Sequence, residues 1–316
     1  MRARFVITAF ALALAAAACS STSNAAMTRS LAPLQQAPGS TTTTTTPPAP
    51  PCDPRASFAP EGTVTGPSIK AIQDRGMLVV GVDQGTAGWG NRDPRDGQLT
   101  GLEVDLLGDI ASALFGGDPL AHLKFRTVTT AQRIADVQAG KVDMVASLLT
   151  ATCDRWEDVD FSSTYYDAKQ SVLVNQDSNI DAVSDLAHRT VCATRGSTSI
   201  VEIAKVVPTA KIYPVDTRSD CMVALQEGRV DAITSDDTIL RSFQAQEPIV
   251  HTRTLEPLPN VEEPYAIAIQ KGHEDLVRFV NGVLEQMRED GSLEALYVHW
   301  LNQDAPLAPP PAEYGR

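Results

Sequence analysis

The chain has 316 residues, of which 43% are hydrophobic, 21% charged and 5% aromatic, and it carries a formal net charge of −13. That length holds one large domain or two ordinary ones, and the composition is that of a globular protein. So acidic a chain lacks the basic face that phosphate binding needs, which argues against nucleic acid as a partner and fits a soluble protein outside the cell.

At the N-terminus, Arg2 and Arg4 precede an apolar run from Phe5 to Ala18 broken only by Thr8. The run is too short to span a bilayer and reads as the core of a signal peptide covering 1–18. It closes on Ala16-Ala17-Ala18-Cys19 and then a polar stretch, Ser20 to Asn24. Small residues before a cysteine resemble a bacterial lipobox, with Ala16 where Leu is usual. Lipid on Cys19, holding the protein to the outer face of the cell membrane, is therefore expected. The alternative is cleavage at an A-x-A site that leaves Cys19 as a free thiol.

Residues 19–67 are rich in Ser, Thr, Ala and Pro, with six consecutive threonines at 41–46. They show no apolar periodicity and are expected to form an extended, disordered tether. The Pro-rich tail 304–316 is expected to be flexible for the same reason.

Between these segments strand and helix patterns alternate. Strands are predicted at MLVVGVD (77–83), HLKFRTV (122–128), KVDMVAS (141–147), SVLVN (171–175), TVCAT (190–194), KIYPV (211–215), RVDAITS (229–235) and PYAIAIQ (264–270). Leu106, Leu107, Ile110 and Leu114 lie at helical spacing within 102–117, and a Gly-Gly pair follows. Further helices are predicted at 130–139, 198–206, 218–227, 237–246, 273–289 and 292–300. Such alternation implies α/β architecture with parallel sheets.

VQAGKVDMVAS (137–147) and LQEGRVDAITS (225–235) share Gln, Gly, Val, Asp and Ser in register. Each reads as a helix end, a Gly turn and a buried strand, so the two halves are expected to be similar lobes. Ligands of open α/β sheets gather at the carboxyl ends of strands, here LLTATCDR and DDT.

With Cys19 set aside, Cys52, Cys153, Cys192 and Cys221 remain of the five cysteines, an even number in an oxidising compartment. Cys192 and Cys221 flank one short α/β segment, which predicts Cys192–Cys221 and leaves Cys52–Cys153. A zinc site is the alternative, but no pair has C-x-x-C spacing and the five His show no ligand-like arrangement, so no metal and no cofactor are expected.

Arg155 stands among Asp154, Glu157, Asp158 and Asp160. Asp154 with Glu157 three residues on has the pattern of a helix N-cap, which would put Arg155 at the positive end of the helix dipole. A guanidinium there suits a bound anion better than its acidic neighbours. Asp236 and Asp237 are one carboxylate more than a single cap needs, so the spare can meet an ammonium. Arg195-Gly196-Ser197-Thr198 offers N–H and hydroxyl donors before a helix, although Ser199-x-x-Glu202 already makes a capping box there.

From Leu78 to Trp300 the motifs LVVGVD, LTGLEVDL, RIADVQAGKVDMVAS, T-x-T-x-x-R, VDFSSTYY, DLAHRTVCATRGSTS, ALQEGRVDAITSDD, EPYAIAIQKG and DGSLEALYVHW follow in an order that resembles the extracellular solute-binding proteins of the polar amino-acid family, the actinobacterial glutamine/glutamate-binding lipoproteins in particular. The resemblance implies a two-lobed type II periplasmic-binding-protein fold with a two-strand hinge near Ser171–Asn175 and Pro264–Ile269. Lobe 1 would comprise 68–173 and 265–303, and lobe 2 174–264. It implies Arg155 and Thr150 on the ligand α-carboxylate, with the Leu148 carbonyl and Asp236 on the ammonium. Ser197 and Thr198 would close over the carboxylate end or the side chain, and Trp89 would serve as an aromatic lid, Thr86 standing at the other usual aromatic position.

The Gly-Ser-Thr turn leans the ligand towards glutamate. Asp83, where relatives that recognise amides or basic groups place an acid, pulls the other way. Arg92 and Arg195 are candidate counter-charges or surface arginines. The implied function is capture of a polar amino acid (Glu, Gln, Asp or Asn) by a monomer and delivery to the permease of an ABC importer. A sensor subunit working through a membrane partner, and a dehydratase-like enzyme on the same scaffold, are the alternatives.

Overall fold

The computed structural model describes residues 52–60, 65–247, 249–301 and 308–316. The signal segment, Cys19 and the tether as far as residue 51 lie outside the described residues, as do 61–64, 248 and 302–307.

Two five-stranded sheets are built to one plan. In the first the strands run Leu123–Thr127, Leu78–Val82, Met144–Ala146, Ala268–Gln270, Val159–Phe161. In the second they run Lys211–Val215, Thr190–Thr194, Ala232–Asp236, Gln170–Asn175, Thr252–Thr254. The first three strands of each are mutually parallel, and the fourth is antiparallel to both its neighbours. Each sheet is thus mixed, with one reversed strand in a mostly parallel set. The β-branched run of Leu78–Val82 suits this central position, and Leu78, Val80 and Val82 are fully buried.

The internal sequence echo is structural. Gly140 and Gly228 take φ of +61° and +68°, the left-handed conformation that ends a helix and that Gly adopts without a Cβ penalty. Three residues further on, the backbone N–H of Asp143 donates to the Val79 carbonyl, and its Oδ2 accepts from the Val79 N–H at 2.7 Å. Asp231 does the same at Thr190, again with 2.7 Å at Oδ2. Each aspartate joins the second and third strands of its own sheet, so the shared V-D carries a shared job.

Helices Leu102–Phe115, Thr198–Val206, Arg218–Gln226, Asp237–Gln246, Glu274–Glu289 and Ser292–Leu301 fall close to their predicted places. Leu102, Leu106, Leu107, Ile110 and Leu114 all face the core. Burial of each contributes about 1.5–3 kcal/mol. Cys192–Cys221 and Cys52–Cys153, the pairs expected from the sequence, are both disulfides.

Several boundaries differ from expectation. Gln170–Asn175 belongs wholly to the second sheet, and the lobes are joined by a separate antiparallel pair, Tyr166–Ala168 with Glu263–Tyr265. The crossover therefore lies before residue 171, and PYAIAIQ divides between hinge and sheet, because the chain needs a short ladder of its own to pass between two sheets.

The Pro-rich ends are also more ordered than predicted. Ala56–Ser57 pairs in parallel with Glu313–Tyr314, and the Arg316 guanidinium lies 3.8 Å from the Trp156 ring centroid. Trp156 Nε1 donates to the Pro54 carbonyl at 2.9 Å, and Ser57 Oγ to that of Phe161 at 2.7 Å. A ladder and a cation–π contact hold segments whose composition alone would leave them loose.

Candidate functional site

The carboxyl ends of Met144–Ala146 and Ala232–Asp236 face one cleft between the lobes. Thr130, Arg133, Leu148, Thr150, Thr194, Ser197, Thr198, Ser199, Arg218, Ser235, Asp236 and Ile239 line it. The space is only about 10 Å³, too small for a solute larger than a water molecule in this arrangement of the lobes. A chamber of about 470 Å³ adjoins it, sharing Thr130 and Arg218 and adding Asp83, Gln84, Arg92 and Thr217.

On the first lobe, Leu148 sits at φ +47°, a strained conformation for a branched residue. Three groups hold it. Glu103 Oε1 accepts its N–H at 2.6 Å, and Arg133 Nη1 donates to the carbonyls of Ser147 and Leu148 at 2.8 and 2.7 Å. Arg218 of the second lobe adds a bond to the Ser147 carbonyl at 3.2 Å. The Leu148 carbonyl expected to receive an ammonium is thus already an acceptor for Arg133. Burial of Glu103 pushes its carboxyl up to about 7, against the Tyr165 hydroxyl and Leu148 N–H bonds that lower it. Burial, aided by Arg155 and Arg218, brings Arg133 down to about 9.

Arg155 is held close behind this loop. Its Nη1 donates to the Thr150 carbonyl at 2.6 Å and its Nη2, across the cleft, to the Gly196 carbonyl at 3.0 Å. Gly196 is required there, since a Cβ would stand 2.8 Å from Ala131 Cα. The helix after the strand is Cys153–Asp158, and its N-cap is Thr152, whose hydroxyl accepts the Arg155 N–H; Asp154 is exposed and does not cap. Thr wins because the chain is extended at Thr152, whereas Asp154 already lies inside the helix. Burial lowers the Arg155 pKa, while Glu263 and Asp236 raise it.

On the second lobe, Asp236 is 4% exposed and occupies the N-cap position of Asp237–Gln246 without capping it. Its Oδ2 accepts from the Tyr265 hydroxyl, and its Oδ1 is buried with no hydrogen-bond partner among the described residues. Burial raises its pKa. Asp237 is used elsewhere, on the Lys169 N–H and Arg241. Ser197 is the N-cap of Thr198–Val206, so the Ser199–Glu202 box does not form; Ser199 lies in the helix and Glu202 pairs with Lys205.

The other expected residues divide. Asp83 is not a free acid, because its Oδ2 pairs with Arg218 Nη1 of the opposite lobe at 2.7 Å and also accepts from Thr86. Trp89 is no lid. At 1% exposure it packs edge-on against Tyr166 and Tyr265, since the loop folds its indole into the core beside the hinge. Arg92 lines the adjoining chamber and bonds Gln84 and the Gly97 carbonyl. Arg195 pairs with Asp216 at the surface.

Three residues were not anticipated: Arg133, Arg218 and Glu263. Glu263, 1% exposed on a hinge strand, receives the hydroxyls of Thr150 from one lobe and Thr198 from the other, the latter at 2.8 Å. Burial and the nearby Asp236 push it up to about 8, opposed by those hydroxyls and Arg155. A Glu-Glu pair directly before an apolar strand, in VEEPYAIA, was the available signal.

Paired α/β lobes, a two-strand hinge and a polar cleft crossed by hydrogen bonds define a binding protein that encloses a small solute. Residues 78–303 match the bacterial extracellular solute-binding proteins, family 3, and the chain belongs to that family, one of binding proteins rather than enzymes. It is 33% identical over 238 residues to the ABC transporter glutamine-binding protein GlnH of Bacillus subtilis, covering 75% of this chain and 85% of that one. It is 30% identical over 247 residues to the glutamate-binding protein GluB of Corynebacterium glutamicum, covering 76% and 83%. A cysteine-binding protein from Campylobacter jejuni superposes with a TM-score of 0.71 at 28% identity, over 76% of this chain and 96% of that one.

Proposed function

We propose that the protein captures a polar α-amino acid, glutamine before glutamate, by closing its lobes, and presents it to an ABC importer. The observation that carries this is the buried Asp236, whose Oδ1 has no partner among the described residues in a cleft that also holds Thr150, Thr198 and arginines. A lone carboxylate oxygen in a buried polar site is expensive unless a cation meets it, and a ligand ammonium is such a cation.

The Asp83–Arg218 pair supplies a net-neutral acceptor and donor side by side where the cleft meets its larger chamber. An amide matches both groups; a carboxylate matches only the arginine. The names of the Bacillus and Corynebacterium relatives support the same ligand class. A micromolar site needs about −8 kcal/mol, which a doubly charge-paired zwitterion can supply.

A thermal-shift screen of the twenty amino acids, followed by calorimetry, tests the assignment, since a ligand of the folded state alone raises the melting temperature. L-glutamine is expected to give the largest shift, and Arg155→Ala to abolish binding with the fold intact. No shift with any amino acid would overturn it. Lipid on Cys19 completes the proposal, supported by the lipobox-like run before it; the mass of the mature protein, compared with Cys19→Ser, tests that part.

A further inference from the structure

Glu263 occupies an unusual place. Its Oε2 accepts from Thr150 and Thr198, the hydroxyls that the family resemblance puts on the ligand α-carboxylate (Thr150) and on its carboxylate end or side chain (Thr198). One hydroxyl comes from each lobe and the glutamate itself from the hinge ladder, paired opposite Ala168. The carboxyl is therefore built into the joint between the lobes, at the end of the cleft where a ligand anion would seek the same donors.

Two carboxylates drawing on one pair of hydroxyls in a buried site cannot both stay charged without strong repulsion. We propose that Glu263 is an internal carboxyl that shares this cradle with the ligand α-carboxylate, so that amino-acid binding is coupled to a proton held on Glu263. This rests on the amino-acid assignment above.

The groups that face Glu263 bear on the sign. Arg155, on Cys153–Asp158, is a cation that favours the charged form. Asp236, at the end of its strand, is an anion that opposes it, with Arg133 and Arg218 behind Asp236. Tyr265, on the same strand, turns its hydroxyl to Asp236. The neighbouring Glu262 is engaged by Arg55 at the surface, 3.0 Å away. Burial exceeds the pull of Arg155 and the hydroxyls, which leaves Glu263 neutral up to about 8. The neutral form tolerates a ligand carboxylate and the charged form repels it, so affinity is flat below that pH and falls above it.

The test is calorimetric titration of the full mature protein with L-glutamine at pH 6.5 and 8.5, each in two buffers of different ionisation heat. For wild type, binding is expected to be about fourfold weaker at the higher pH, the loss for one linked proton with a pKa of about 8. Glu263→Gln keeps an acceptor for the hydroxyls and should flatten that change and take up fewer protons on binding. The difference between the two proteins is the readout, because protons exchanged by any group other than Glu263 contribute equally to both. Glu263→Ala serves if the glutamine variant does not fold, with the same expectation. Parallel pH profiles and equal proton uptake in wild type and variant would overturn the proposal while leaving the amino-acid assignment standing. Failure of L-glutamine and L-glutamate to bind wild type at either pH overturns both.

Discussion

Replacing Asp236 by asparagine separates a binding role from a structural one, because the two properties should move in opposite directions. In the native protein the carboxylate is 4% exposed, takes one hydrogen bond from Tyr265 and leaves Oδ1 without a partner among the described residues. Burial raises its pKa. The unfolded chain therefore gives up this proton at lower pH than the folded one, and stability drains away as pH rises from the unfolded value towards the folded value. Asparagine has no such proton, keeps the shape and still accepts from Tyr265, so Asp236→Asn should melt higher than wild type at pH 7 without ligand.

Affinity should fall. A hydrogen bond to a charged group contributes about 1.5–3 kcal/mol. Losing one to a ligand ammonium weakens binding by about 10- to 150-fold. Differential scanning calorimetry without ligand and isothermal titration with L-glutamine give the two numbers. A variant that melts lower and binds as well as wild type would refute the assignment, for Asp236 would then be a structural residue of the hinge.

Three further outcomes are expected. Glu103→Gln removes a fully buried carboxyl held up to about 7 from 4.5, so the roughly 3 kcal/mol that wild type loses between those pH values should be absent from the variant; urea unfolding at pH 4.5 and 7.5 measures it. Arg218→Ala leaves Asp83 without its 2.7 Å partner and should shift preference from glutamine towards basic amino acids; unchanged ranking in a thermal-shift screen would contradict the pairing model of specificity. Replacing Cys192 and Cys221 together by serine opens a loop of 29 residues and should cost about 3–4 kcal/mol, read from denaturant midpoints with and without reductant.

The strand–helix alternation and the repeated G-x-V-D were legible because both are local: periodicity, a Gly turn and a buried strand lie within one stretch of chain. That Thr150, Ser197, Thr198 and Asp236 meet at one cleft was legible for a related reason, since each follows a parallel strand at the end where ligands gather. Glu263 and Arg218 were not, because their partners stand 113 and 135 residues away, Thr150 for one and Asp83 for the other. Trp89 was misplaced as a lid because loop position does not reveal which way a ring turns. The terminal clasp was missed because composition argues against a folded core but is silent on two-residue ladders and on one arginine over a tryptophan.

The charges of the cleft explain why Arg155 is misleading in sequence. Asp154, Glu157 and Asp158, its neighbours in the chain, are exposed, and Asp160 is taken by Lys271 at 2.8 Å. The acids that act on Arg155 are Glu263 and Asp236, one from the hinge and one from the other lobe. Arg133 and Arg155 likewise direct their N–H groups mainly to carbonyls, those of Thr130, Ser147, Leu148, Thr150 and Gly196. These cations, Arg133 buried and Arg155 partly so, set the shape of the loops rather than neutralise acids outright. Asp83 is then matched by Arg218, and Glu263 by two hydroxyls, while Asp236 keeps one oxygen unmatched. On the proposed function, a zwitterion supplies a cation for Asp236 and an anion for the arginines, so that the free energy closing the lobes would come from contacts on both of them.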